Sequence, residues 1–122
     1  MLPLIVSLML LPTFNVAVLT PQITQAAPLD VSNFKSIALA DAREYNLTPA
    51  QTARMMRVIN CESGWVATST GKLGERGLAQ IYPKEHPDIT EAEMLDPYFS
   101  LDFIAKNLFE HLSWWSCYGL TR

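Results

Sequence analysis

The stretch Val58-Ile59-Asn60-Cys61-Glu62-Ser63-Gly64-Trp65 places a glutamate where an apolar helical pattern runs out. At a helix C-terminus the negative end of the dipole disfavours the carboxylate and favours its protonated form. Partial burial between Cys61 and Trp65 would push the same way. An acid that keeps its proton near neutral pH can deliver it to a leaving oxygen, as cleavage of a glycosidic bond requires. The bland alternative is a solvated glutamate at a helix end. A second carboxylate, Glu75, stands in Gly74-Glu75-Arg76-Gly77-Leu78-Ala79-Gln80-Ile81. Across a cleft from Glu62 it could act as a base, but Gly74 and Arg76 beside it suit a solvated turn better.

Helices must position these groups. Phe34, Ile37, Ala38 and Ala42 keep helical spacing over Asn33 to Tyr45, with Ser32 as the N-cap. Thr48-Pro49-Ala50-Gln51 reads as a capping box with proline at the first helical position. The helix it starts should run to Ser63, bury Ala53, Met56, Ile59 and Cys61, and end at Gly64 in a left-handed cap. Residues 65–76 are polar and glycine-containing, hence loop, with short strands conceivable. Thr90 and Glu93 mark a short helix that stops before Asp96-Pro97. A longer helix is expected from Pro97 to Ser113, with Leu101, Ile104, Leu108 and Leu112 on one face. The expected fold class is mostly α, a small domain with a long irregular loop after the Glu62 helix.

The 122 residues allow one domain. The first 29 carry no charge, and MLPLIVSLMLL within them has the length of a signal-peptide apolar region. Thr24-Gln25-Ala26 before Ala27 forms a small-x-small cleavage site, so residues 1–26 are expected to be a signal peptide and 27–122 the domain. No Lys or Arg precedes the apolar run, and the alternative is an uncleaved anchor, although Pro12, Thr13 and Asn15 interrupt it. Membrane contact is expected only in that case. Export fits the two cysteines, Cys61 and Cys117, as one disulfide. The net charge of −3 shows no basic footprint for nucleic acid. His86 and His111 are far apart with no metal-ligand spacing around them, so neither a metal nor a cofactor is expected.

The pair Glu62-Ser63, the aromatic Trp65 two positions on, and Gly74-x-x-Gly77-Leu78-x-Gln80-Ile81 together resemble the SLT-type lytic transglycosylases. That family shares a lysozyme-like fold with goose-type lysozymes. The interval from Glu62 to Gln80 matches the family's, and the likeness extends from about Thr48 to Tyr118. The resemblance implies an exported, periplasmic or extracellular enzyme, a monomer, acting on peptidoglycan glycan strands. Glu62 would be its general acid, Ser63 a hydrogen-bonding neighbour of that acid, and Gln80 part of the groove wall. Gly77 would allow close backbone approach to the sugar or a helix. Turn and packing roles would account equally well for Ser63, Gly77 and Gln80.

Departures from the family pattern are equally specific. Val66-Ala67 stand where Asn-Pro is common, and Glu75 where a small residue is usual. The family's Ala-Tyr-Asn motif is missing; Trp114-Trp115-Ser116-Cys117-Tyr118-Gly119 occupies its region, leaving Tyr118 as a weak counterpart of the family's tyrosine. Trp65, Trp114 and Trp115 can stack on sugars, with core packing expected for at least one. The implied reaction is cleavage between N-acetylmuramic acid and N-acetylglucosamine, in which the sugar's own C6 hydroxyl replaces water. It leaves a 1,6-anhydro end and needs one carboxylate. Three alternatives stand beside it: a hydrolysing muramidase with Glu75 as second carboxylate, a peptidoglycan-binding protein without turnover, and an exported helical protein with no glycan function.

Overall fold

The computed structural model describes residues 3, 9–21 and 27–122. Residues 9–21 are exposed and lack regular secondary structure. Most of the apolar run and the cleavage site at residues 24–26 lie outside the described residues. Among the described residues no helix is long and apolar enough to cross a membrane.

Four α-helices, with no sheet among the described residues, make the body. Helix α1 (Val31–Glu44) starts two residues before the expected position. Asp30 is its cap, because Asp30 Oδ1 accepts from the Asn33 N–H at 3.1 Å while the Asn33 side chain accepts from the Asp30 N–H at 2.9 Å. Ser32, the expected cap, instead donates to Asp30 Oδ1 at 2.8 Å. The reciprocal box satisfies two otherwise orphaned donors, which a lone serine would not. Phe34, Ala38 and Ala42 are buried, as their spacing predicts.

Helix α2 (Pro49–Ser63) follows its signals at both ends, from the Thr48–Gln51 capping box to Gly64 at φ 59°. Its buried face differs from the expected one. Met55, Val58, Ile59 and Ser63 are inside, Met56 is partly buried, and Ala53 and Cys61 are exposed. The stretch is apolar on more than one side, so the face that meets the core depends on where α1 and the following loop lie.

Helix α3 (Glu91–Leu95) has the Thr90–Glu93 box. Helix α4 (Pro97–Asn107) is capped by Asp96, which accepts from the Phe99 N–H at 2.9 Å. It is shorter than expected: Leu108 closes it and Leu112 is 40% exposed. The chain turns after Asn107, whose carbonyl accepts from the Glu110 and His111 N–H groups. The turn lets Trp115 re-enter the core at 3% exposure, where its indole N–H donates to the Ala79 carbonyl at 2.8 Å. A continuous helix to Ser113 would forgo that burial. Two 3-10 helices, Leu112–Trp114 and Ser116–Leu120, complete the chain, the second packed on α2.

The core lies where α1 packs on α4, with Met55, Ile59, Leu78, Leu101 and Ile104 fully buried. Cys61 and Cys117 form a disulfide, consistent with an exported protein.

Candidate functional site

The end of α2 sets the position of Glu62. The Gly64 N–H donates to the Asn60 carbonyl, and Gly64 and Trp65 follow each other at φ 59° and 62°. This sharp left-handed turn sends Trp65 inward to 5% exposure. Ser63 braces the turn: its hydroxyl donates to the Ile59 carbonyl at 3.1 Å and accepts from the Trp65 N–H at 3.2 Å. Ser63 is therefore a buried brace of the turn, and neither of its hydrogen bonds goes to Glu62. Trp65 belongs to the core; Lys35 Nζ lies 5.7 Å from its ring.

Glu62, half-buried, points to the C-terminal 3-10 helix, where its Oε1 accepts from the Cys117 N–H at 2.9 Å. Burial raises its pKa above the ordinary carboxylate value. The Cys117 N–H opposes that shift, the charge of Glu75 adds to it, and the nearby Ser116 hydroxyl opposes it. Burial is the largest of these causes, so the net effect favours the protonated acid.

The loop from Val66 to Ile81 folds back on itself. The Arg76 N–H and carbonyl both pair with Ile81 at 3.0 Å, and the Gly77 N–H donates to the Ser69 carbonyl at 2.9 Å. Only isolated bridges, Thr70 with Arg76 and Arg76 with Ile81, take the place of the strands considered possible. Gly77, at φ 77°, sits so close to α3 that a Cβ there would collide with the Met94 carbonyl oxygen. Helix α4 supports the same spot, since Ser100 Oγ, fully buried, accepts from the Ala79 N–H at 2.9 Å.

Gln80, 7% exposed and at φ 49°, donates through Nε2 to the carbonyls of Ser69 (3.1 Å) and Gly77 (2.9 Å). Its Oε1 and the Glu75 carboxylate both crowd the open side of Gly71. Glu75 sits in the turn its flanks predict, partly rather than fully exposed. Its Oε2 accepts from the Leu73 N–H at 3.0 Å, and its charge reaches Glu62. The loop thus brings both candidate carboxylates and Gln80 to one side of the molecule.

Of the three tryptophans, Trp65 and Trp115 are core residues. Trp114 is partly exposed and lines a small polar cleft with Gln80, Tyr82, Glu85 and His86. The His111 ring stacks on it at 4.1 Å and His86 meets it edge-on at 4.6 Å. Tyr118 is engaged elsewhere: the Arg54 guanidinium lies 3.6 Å over its ring, and Phe109 packs edge-on at 6.3 Å.

Sequence reasoning missed Ser116, the Cys117 amide and Ser100. The first two had a signal, because a disulfide from the residue before Glu62 must bring the flank of Cys117 against it. Ser100 had none. On the far side, Asp41, Glu44 and Asp102 bring carboxylate oxygens within 4.8 Å of one another. Tyr45 donates to Asp102 at 2.7 Å, which with burial pushes the phenol up to about 12. Burial, then Asp102 and Glu44, raises Asp41 to about 6. No protein-family model, curated protein or solved structure matches this chain.

Proposed function

We propose that the protein is a peptidoglycan lytic transglycosylase of lysozyme-like fold that cleaves the N-acetylmuramic acid to N-acetylglucosamine bond. The observation that carries this reading is Glu62: a half-buried acid, held at a helix end by the Cys117 amide, with its pKa raised by burial. On this reading the Glu62 carboxyl protonates the bridging oxygen as the glycosidic bond breaks. The resulting carboxylate then takes the proton of the C6 hydroxyl, whose oxygen closes on the anomeric carbon. Glu62 is restored, no water is consumed, and the product carries a 1,6-anhydro ring. Gln80 would form part of the groove wall, beside the partly exposed Trp114 that lines the same small cleft and stacks on His111.

The position of Glu75 favours a second reading, a hydrolysing muramidase. A retaining or inverting hydrolase needs a second carboxylate about 5–9.5 Å from the first, and Glu75 is the carboxylate whose charge acts on Glu62. Mass spectrometry of soluble products from purified peptidoglycan separates the two. The expected result is 1,6-anhydro-N-acetylmuramic ends, absent with Glu62→Gln. Reducing ends that disappear with Glu75→Gln would establish the hydrolase instead. Binding without products would leave a non-catalytic wall protein.

A further inference from the structure

Helix α2 carries Cys61 and Glu62 side by side, and the last 3-10 helix carries Ser116 and Cys117 side by side. Two bonds join these pairs: the disulfide from Cys61 to Cys117, and the hydrogen bond from the Cys117 N–H to Glu62. The amide that holds the acid therefore belongs to a half-cystine, and the other half-cystine is the acid's own neighbour. Residues 116–120 have no side-chain cap; the segment is otherwise held by Arg54, which donates to the Tyr118 carbonyl at 2.9 Å and lies over its ring, by Phe109 against that ring, and by Arg57 to the Thr121 carbonyl at 3.4 Å. None of these contacts is to Glu62.

The two half-cystines also differ in access. Cys117 is 7% exposed. Cys61 is exposed and lines an open groove of about 650 Å³ with Arg57, Trp65 and Leu120. A thiol reagent can approach through that groove, at the Cys61 side of the bond.

We infer that Cys61 and Cys117 are positioning residues for Glu62, and that reducing their disulfide frees residues 116–120 from the acid and switches cleavage off. The inference rests on the reading of Glu62 as the proton donor. The reductant is a dithiol. One of its thiolates attacks the Cys61 sulfur, the S–S bond breaks, and its electron pair leaves with the Cys117 sulfur, which takes up a proton. The second thiol, deprotonated, then displaces Cys61 from the mixed disulfide, and Cys61 is protonated in turn. The protein gains two electrons and two protons, and the reductant ends as a disulfide.

Release changes the acid's surroundings. Burial is the largest influence on Glu62, and the segment carrying Ser116 and Cys117 packs against its helix. Of the charged groups, Glu75 on the facing loop acts on it; the 3-10 helix contributes the Cys117 N–H and the Ser116 hydroxyl. Once that segment leaves, the carboxylate loses both hydrogen bonds and gains water, so the acid is no longer held in one position.

The test compares the oxidised protein with protein reduced by dithiothreitol, following the Glu62 carboxyl carbon by NMR titration, backbone amide exchange, and release of anhydro-ended products. Reduction should shift the Glu62 titration midpoint and expose the Cys117 amide to exchange, while the amides of α1, α2 and α4 stay protected. Product release should fall at least tenfold and return on reoxidation. The Cys61→Ser/Cys117→Ser double variant should behave as the reduced protein and ignore reductant. An unchanged midpoint and a still-protected Cys117 amide in folded reduced protein overturn the inference. So does loss of protection throughout the helices, because the disulfide would then serve the whole fold and not the acid. If the oxidised protein releases no anhydro ends, the lytic reading fails, while titration and exchange still decide the positioning role.

Discussion

Glu62 shows how one side chain can set stability against reactivity. Its proton affinity is raised by folding, so the folded protein binds this proton more tightly than the unfolded chain does. The contribution to stability is then fully present below the unfolded carboxylate value and is lost as pH rises through the higher folded value. Replacing the acid with its neutral isostere removes that loss. Glu62→Gln is expected to raise the melting temperature at neutral pH, with the gain vanishing toward about pH 3, where both states are protonated. Thermal unfolding of both proteins across that pH range checks it; a gain independent of pH would rule out the ionisation argument. Together with lost cleavage, a stabler variant would mark Glu62 as a residue kept for chemistry and not for folding.

At the scale of elements, the loop is held in place by what lies beneath it. Two supports meet at the Gly77–Gln80 turn: the Met94 carbonyl of α3, which only a glycine can approach so closely, and the Ser100 hydroxyl of α4. Removing the hydroxyl strands the buried Ala79 N–H, a loss worth about 1–3 kcal/mol. Ser100→Ala should lower stability by that amount in chemical denaturation and loosen Gln80, the next residue in the same turn. A change within about 0.5 kcal/mol, the range of surface substitutions, would mean that the amide finds another partner. Similar reasoning explains the short α4. A helix continued to Ser113 keeps its backbone bonds, but the turn at Asn107 also buries Trp115 and satisfies its indole N–H.

For the whole molecule, the disulfide and the α1–α4 contact do different work. The disulfide closes a loop across a sequence separation of 56, worth about 4 kcal/mol in the chain-entropy model. The α1–α4 contact, by contrast, brings together like charges. Asp41, raised to about 6 by burial and by Asp102 and Glu44, has an Oδ2 that is buried without a partner. Its stabilising contribution is present below about pH 4 and is lost as pH rises through about 6. Asp41→Asn is therefore expected to stabilise the fold above about pH 6 and to make no difference by about pH 3, where both states are protonated. Parallel melting curves at the two pH values test this, and an equal effect at both would refute it.

The capping boxes at Thr48 and Thr90, the left-handed end at Gly64 and the Cys61–Cys117 pairing were legible in the sequence because each is a local rule, or the only pairing that two cysteines allow. Glu62 was legible only as an acid at a helix end; its hydrogen-bond partners Cys117 and Ser116 and the charge of Glu75 come from segments remote in the chain. What local rules could not decide was which of the apolar residues of α2 face the core, which left Ala53 and Cys61 outside. Nor could they place Ser63 in the turn, Trp65 in the core and Tyr118 under Arg54, because those choices depend on elements remote in the chain. Glu75 depends on the same thing. Its own neighbours favour water, but the folded loop turns its carboxylate toward Gln80 and Glu62, and only tertiary contacts carry that information.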